Sequence, residues 1–325
     1  MSAIPENRLD ASDIAFLERE LRHVDPVIYP TLFAGLLGRK YVPLIEGISP
    51  LKDEYAYRMA TIKGDAKLGG PNANDATVVS VTYAESVSAI KQIPVAMKWT
   101  IRELKQSAAF AGGKLQDDTI RAAMSAVARK RDNMIALGLT GTTIGGLLNA
   151  TGVLATTPST KTGTGAGTAW IRTVPVAPDE ILADIAKIVA DTRAALNQAT
   201  QLPGGDDMPA FARWVLLLPQ AQYTYIAQTP RSTTSDKTIL QWALSQNPWL
   251  ESIEEWWQCD TAGTGPTTRA MLYVRDPMCC GCVIPDEWSQ EAWQYEGHNI
   301  VVPASGSCGG TVVKYPVACR TMDAI

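Results

Sequence analysis

The stretch Asp53-Glu54-Tyr55-Ala56-Tyr57-Arg58-Met59-Ala60-Thr61-Ile62-Lys63 alternates along its length. In an extended chain Tyr55, Tyr57, Met59 and Thr61 fall on one face, and Glu54, Ala56, Arg58 and Ala60 on the other. Residues 77–93 are rich in Val, Thr, Tyr and Ile, as strands are. Between them, residues 64–75 carry Gly64, Gly69, Gly70, Pro71, Asn72 and Asn74, which is turn chemistry. The pattern predicts a long hairpin over residues 53–93. A two-stranded hairpin is marginal by itself in water, and this one has polar side chains on both faces. It needs a surface to rest on, and a second copy of the same chain supplies one.

The chain has 325 residues, enough for one large domain or two ordinary ones. Its apolar fraction, 46%, is that of a globular protein, while charged residues, at 19%, run below the usual quarter. With 25 Gly and 20 Pro, this points to much irregular chain and to surface that touches protein rather than water. The net charge of −4 carries no general nucleic-acid signature. Its distribution is uneven: residues 1–170 hold 19 basic and 16 acidic side chains, and residues 171–325 hold 10 and 17. No stretch approaches the roughly 20 apolar residues that span a bilayer. The opening residues, with Pro5 and Glu6 and no apolar core, do not read as a signal peptide. These features predict a chain made in the cytosol with no membrane contact and with its six cysteines reduced.

Working outward from the hairpin, Asp10 or Ser12 caps an expected helix over residues 13–22, and Pro26, Pro30 and Pro43 keep the following chain extended. After the hairpin, residues 95–107 read as a strand and then a short helix capped by Thr100, with Glu103 three residues on. The strongest helical pattern covers residues 116–137. Asp117 and Asp118 stand in its first turn, Ile120, Met124, Val127 and Ile135 form an apolar stripe, and Gly138 stops it. A second helix opens at Pro178, with Asp179 and Glu180 behind it and Ile181, Leu182, Ile185, Ile188, Val189 and Leu196 on its buried face. Residues 213–218 read as a buried strand, followed by short helices over residues 220–227 and 237–246. Residues 252–258 and 268–274 read as strands paired around an intervening turn, and the tail beyond residue 279 as mostly β. No solenoid or propeller repeat occurs.

Catalytic chemistry is sparse in this sequence. Its two histidines, His23 and His298, stand apart from any nucleophile motif. Residues 141–146 have the glycines of a phosphate loop without its Lys-Ser/Thr. Asp206-Asp207 flank a Pro-Gly-Gly turn and read as a solvated loop rather than a metal site. Cys279, Cys280 and Cys282 lack paired Cys-x2-Cys spacing and read as small buried thiols in a strand. Trp249, Trp256 and Trp257 are surrounded by Glu251, Glu254 and Glu255, which suits a core or interface better than stacking on bases. Arg129-Lys130-Arg131 is the basic cluster on a helix: either a solvated face or a weak contact to DNA phosphates. The expectation is therefore a protein that is not an enzyme and has no cofactor or metal.

This order of elements resembles the HK97-fold major capsid proteins of tailed bacteriophages, an α+β fold. Trp99-Thr100-Ile101-Arg102-Glu103-Leu104-Lys105-Gln106-Ser107 looks like the family's strand-to-helix passage, where a Glu-Leu (Glu103, Leu104) and a following Ser (Ser107) recur. Gly145-Gly146-Leu147-Leu148-Asn149 looks like the turn found soon after the family's spine helix. The resemblance implies an N-terminal arm over 1–45 and an extended E-loop hairpin over 46–94. It further implies a peripheral domain over 95–177 with its spine helix at 116–137, an axial domain over 178–274, and a return to the peripheral domain over 275–325. It places Tyr55, Tyr57, Met59, Lys63, Lys67, Val79, Val81 and Tyr83 of the hairpin at a subunit interface, and turns Arg129, Lys130 and Arg131 toward packaged DNA.

What the resemblance implies in function is self-assembly into an icosahedral shell of hexamers and pentamers around a double-stranded DNA genome. It implies a virion capsid assembled in the bacterial host cytoplasm, with decoration or cement, scaffolding and portal proteins as partners. The alternative is an encapsulin-like compartment around a cargo enzyme. Many relatives carry a long cleaved N-terminal scaffolding segment, whereas about 50 residues precede the hairpin here; Met1 argues against cleavage. Some relatives cross-link an E-loop lysine to a neighbour's asparagine. Lys63 and Lys67 lie in that region, but no Asn or catalytic Glu matches by motif, and no cross-link is expected.

Overall fold

The computed structural model describes residues 35–63, 78, 80–110, 114–162, 167–173, 176–198, 213–232 and 237–325. The helix expected over residues 13–22, the tip of the hairpin with Lys67, and Val79 lie outside the described residues. A single helical turn, α1 (Gly38–Tyr41), and a two-residue strand, β1 (Leu44–Ile45), lead into the hairpin.

β2 (Glu54–Lys63) and β3 (Ser80–Ala89) pair antiparallel through ten residues each, from Glu54↔Ala89 to Lys63↔Ser80. At about 3.3 Å per residue, the arm is about 33 Å long. The pattern of residues 77–93 reads as one strand, but the structure breaks it at Ile90. That side chain is buried against Val283 and Val312, and its N–H donates to the Asp53 carbonyl at 2.7 Å. Burial of one apolar residue thus turns the chain out of the hairpin. β4 (Lys91–Thr100) then pairs with β12 (Asn299–Cys308) along its whole length, from Lys91↔Cys308 to Thr100↔Asn299. Among the described residues β4 has a partner on one side only, the edge position in which Pro94 is tolerated.

α2 (Ile101–Phe110) begins with a reciprocal cap: Glu103 N–H donates to Thr100 Oγ1 at 3.1 Å, and Thr100 N–H to Glu103 Oε2 at 2.9 Å. α3 (Lys114–Leu137) has 24 residues, about 36 Å at 1.5 Å per residue. Ala123 joins Met97, Trp99, Ile300, Val302 and Ala304 over the β4–β12 sheet. Met134, Ile135 and Ala136 enter a second, larger core with Tyr41, Val42, Leu147 and Leu148. One helix therefore ties two apolar cores together. β10 (Ser289–Gln290) and β11 (Gln294–Glu296) complete the sheet on the far side of β12.

The larger core lies under a five-stranded sheet ordered β5-β14-β8-β6-β7. Its strands are β5 (Leu154–Ala155), β6 (Trp214–Leu218), β7 (Leu250–Glu255), β8 (Arg269–Tyr273) and β14 (Arg320–Asp323). Three helices belong with this part of the chain: α4 (Pro178–Gln198), α5 (Gln220–Gln228) and α6 (Ile239–Gln246). The strands expected to pair with each other, β7 and β8, do not. β6 lies between them, parallel to β7 and antiparallel to β8. Trp214-Val215-Leu216-Leu217-Leu218 is apolar throughout and fully buried, which suits an interior strand; β7 carries Glu251, Glu254 and Glu255 and takes the edge. Residues 257 and 258, expected to continue β7, instead open a turn of 3-10 helix, Trp257–Asp260.

A third small sheet sets β9 (Cys280–Val283) between β1 and β13 (Thr311–Val313). All six cysteines are buried and unbridged. A Cβ on Gly281 would lie 2.5 Å from Ile45 Cγ1, so the close approach of β1 to β9 depends on that glycine.

Candidate assembly interface

The hairpin divides into a root held by its own chain and an arm that is not. Tyr55 and Tyr57 stack at 6.4 Å and are half-buried beside Ile45, Ile48 and Val312, and the Tyr57 hydroxyl donates to the Val313 carbonyl at 3.4 Å. On the opposite strand Ala89 N–H donates to Thr143 Oγ1 at 3.1 Å, and Ser88 Oγ reaches the Gly309 carbonyl at 3.3 Å. Beyond this clasp the apolar side chains are bare: Met59 is 39% exposed, Val81 47% and Tyr83 72%.

Register sorts these residues onto two faces. Met59 lies opposite Ala84, on the same face as Tyr55 and Tyr57. Val81 and Tyr83 lie opposite Ile62 and Ala60, on the other face, where Val87 is also exposed and Arg58 pairs with Glu85 at 3.2 Å. The eight hairpin residues grouped by resemblance are therefore not one surface. Tyr55 and Tyr57 pack on the body, Met59 overhangs an open groove of about 410 Å³ beside Thr143, Val313 and Pro316, and Val81 and Tyr83 face away from it. Lys63 ends β2. Large exposed apolar side chains on an arm with so little core of its own are the composition of an interface.

The motif residues behind the hairpin are structural fasteners. Leu104 packs against the Met97–Trp99 core, and Ser107 Oγ accepts from Leu115 N–H at 3.3 Å in the first turn of α3. At the other end of α3 every one of the last four carbonyls is taken. Gly138 N–H bonds Met134 at 3.0 Å, Leu147 N–H bonds Ile135 at 2.9 Å, Leu148 N–H bonds Ala136 at 2.9 Å, and Asn149 Nδ2 reaches Leu137 at 3.5 Å. Gly138 closes the helix with φ near +73°, and a Cβ on Gly146 would stand 2.3 Å from Gly138 N. Gly145 offers its carbonyl to Thr311 N–H at 2.8 Å, so this five-residue turn also receives β13.

Sequence reading missed Arg269, because nothing local marks it. Its Nη1 donates to the Leu148 carbonyl at 2.7 Å and Asn149 Oδ1 at 2.8 Å, while Nε and Nη2 grip Asp323. Burial by itself pushes the Asp323 carboxyl up, yet bonds from Arg269 and Thr264 hold it below the usual carboxylate range. A second buried network, also unsignalled, joins Lys161 to Asp184, with Trp170 Nε1 donating to the same carboxylate at 2.9 Å. It fixes the Thr-rich loop to α4.

The three consecutive basic residues of α3, Arg129, Lys130 and Arg131, diverge. Arg131 Nη1 donates to the Glu287 carbonyl at 3.1 Å, Arg129 Nε leans on the Ser125 carbonyl at 3.4 Å, and Lys130 is exposed. Burial pushes the Cys282 thiol up to about 11, and those of Cys259 and Cys280 higher still, which keeps them protonated rather than nucleophilic.

This geometry has relatives. The capsid of Myoviridae phage XM1 superposes with a TM-score of 0.75 at 18% identity, covering 94% of this chain and 98% of that one. The capsid of a native GTA particle gives 0.61 at 9% identity over 93% and 94% of the two chains. Mycobacterium phage Ogopogo gives 0.55 at 13% identity over 93% and 96%. No curated protein matches the sequence. The family model described as Major capsid protein matches residues 64–325, more than three-quarters of the chain. With that match and an HK97-like α+β fold, in which a long helix is fastened at both ends and a hairpin is bare beyond its root, the chain belongs to the major capsid protein family.

Proposed function

We propose that this chain is the shell subunit of a tailed bacteriophage, forming hexamers and pentamers in a closed shell around double-stranded DNA. The observation that carries the reading is the hairpin: its root is clasped to its own chain through Tyr55, Tyr57, Ser88 and Ala89, and it bares Met59, Val81 and Tyr83 beyond. In this reading the bare part laps over an adjacent copy, with the Val81–Tyr83 face and the Met59 face contacting different surfaces. Lys63, the tip residue Lys67, and Val79 extend the same contact.

The division into an arm (1–45), hairpin (46–94), peripheral part (95–177 and 275–325) and axial part (178–274) follows from the same reading. In its support, β6, β7 and β8 all come from residues 178–274; β5 and β14 stitch their sheet to the rest. Of the basic cluster, Lys130 is the side chain best placed for weak contact with DNA, since Arg131 is held by Glu287. The chain works by assembly rather than catalysis. It assembles in the bacterial cytoplasm, with a portal and separate scaffolding or cement proteins as partners. Electron microscopy of the purified chain tests this: closed particles holding nuclease-protected DNA are expected from infected cells, while small soluble oligomers alone, or a cargo enzyme in place of DNA, would refute it.

A further inference from the structure

At one end of the β4–β12 sheet, α2 carries an unused set of charges. Between α2 and the β11–β12 turn lies an open groove of about 840 Å³, lined by Thr100, Ile101, Arg102, Lys105, Gln106, Ala109 and His298. Ile101 N–H bonds the His298 carbonyl at 3.0 Å and closes one side. Arg102 and Lys105 are exposed and one helical turn apart, so both reach the same space. Neither they nor the His298 ring has an ion pair or a side-chain hydrogen bond among the described residues. The nearby carboxylate of Glu103 is turned back into the Thr100 cap, and Lys98 already holds Glu296 at 3.3 Å. The groove presents donors and contains no carboxylate.

The same sheet displays the complement. Glu291, just after β10, is exposed; its backbone N–H bonds the Pro303 carbonyl at 2.9 Å, but its carboxylate has no partner among the described residues. Two residues on, Trp293 is 49% exposed with one side against Trp99 at 6.5 Å, and Tyr295 is 73% exposed. Tyr295 lies in register with Ile300, and Ile300 with Trp99, so Tyr295 extends the row that α3 buries and is itself left uncovered. A free carboxylate two and four residues from bare aromatic rings is an anchor-and-charge arrangement of the kind that dominates interface energetics.

We infer that the 291–295 segment of one copy docks on the α2 groove of a second, placing Glu291 against Arg102, Lys105 and His298 and covering Trp293 and Tyr295. The groove, at α2, and the segment, between β10 and β11, are different patches, so the contact is heterologous and repeats from copy to copy, closing into a ring or shell. The carboxylates of Glu251 and Glu255 are exposed too, but they sit on β7 in another sheet, where the nearby Trp249 ring is already covered on one side by Arg193 at 4.3 Å. This inference rests on the shell reading and adds to it a contact that the hairpin does not make.

The test is a charge swap in the full-length chain, read as particle yield by electron microscopy and sedimentation, with thermal melting of the unassembled subunit as the folding control. Glu291→Lys and the pair Arg102→Glu/Lys105→Glu are each expected to lower particle yield at least tenfold while melting as wild type does. Combining all three is expected to restore it, and wild-type assembly is expected to slow as salt rises. Should the groove double variant melt early, Glu291→Lys with wild-type melting carries the decision alone. Particles at wild-type yield from the charge-reversed groove would overturn the docking. If those particles are intact but poor in DNA, the groove serves nucleic acid instead, which also overturns it. Absence of particles from the wild-type chain would overturn the shell reading itself.

Discussion

Arg269 grips Asp323 with two nitrogens, Nε to Oδ1 at 2.6 Å and Nη2 to Oδ2 at 2.7 Å, across 54 positions of sequence. Its third nitrogen holds the carbonyl of Leu148, in the turn that ends the spine helix. Asp323 lies in the last strand, β14. One guanidinium therefore fixes three distant segments at a single point.

Removing that guanidinium, as Arg269→Ala, leaves Asp323 and the Leu148 carbonyl short of donors. A loss of about 2 kcal/mol is expected, below the figure for a fully buried pair because both side chains keep some solvent contact. Urea unfolding of the unassembled subunit measures it, and a change under about 0.5 kcal/mol, the size of an ordinary surface substitution, would mean the junction contributes nothing.

The same junction has a pH signature. The folded-state pKa of Asp323 is depressed, so its contribution is complete above the unfolded carboxyl value of about 3.9 and fades as pH falls through the lower folded value. Wild type is expected to lose stability through that acid window. Asp323→Asn starts lower at neutral pH and shows a shallower decline, so parallel curves for the two proteins would contradict the assignment.

Gly146→Ala should be among the most damaging single substitutions in the chain. The added methyl meets backbone at 2.3 Å from Gly138 N and 2.5 Å from the Ala136 carbonyl oxygen, and no rotamer relieves it. A cost of about 3 kcal/mol, the upper end for overpacking, is expected in the denaturation midpoint. By contrast Gly141→Ala meets no atom within 4 Å and costs only its φ near +80°.

Hydrogen exchange should split the hairpin. Amides at its root, Ser88 to Ile90, are expected to exchange slowly in free subunits as well as in particles, since Ala89 and Ile90 are bonded to the Thr143 hydroxyl and the Asp53 carbonyl. Amides of residues 80–85 are expected to exchange quickly in free subunits and slowly after assembly. Equal rates for residues 80–85 in both states would remove the case for a lapping arm.

The buried thiols give a solution test of the folded subunit. All six cysteines are expected to resist a thiol reagent at pH 8 until denaturant is added, because burial bars access and, at Cys259, Cys280, Cys282 and Cys308, also raises the thiol pKa. Reaction of two or more in native buffer would show that the β9 region opens readily.

What could be read from sequence was what is local. The Thr100–Glu103 cap, the helix stop at Gly138 and the alternation of residues 54–63 follow from spacing within a few residues, and the structure has each of them. The sheet order could not be read. β6, β7 and β8 have patterns compatible with several pairings, and only the fully apolar run at Trp214–Leu218 hinted that β6 belongs inside. Ile90 looks like one more β-branched residue until Val283 and Val312, some two hundred positions away, give it a place to be buried. Arg269 and Asp323 are ordinary charges in sequence; their meaning comes from β8 and β14 lying side by side. The alternation marks a hairpin, but which of its side chains remain bare depends on Ile45, Ile48 and Val313, beyond the reach of alternation.

The closure of the spine helix has a consequence for the order in which this chain is completed. The Ile135 carbonyl is bonded not only by Leu147 but also by Thr311 Oγ1 at 2.7 Å, and β4 finds its partner in residues 299–308. Such long separations make folding slow and late. A growing polypeptide that has emerged only through residue 290 has its arm, its spine and half its sheet without the strand that joins them. A ribosome-bound chain of that length is expected to be cut by protease at sites the finished subunit protects. Competence to assemble is then expected only once residues 299–311 have been made, since they supply the partner of β4 and the Thr311 bond to the end of α3.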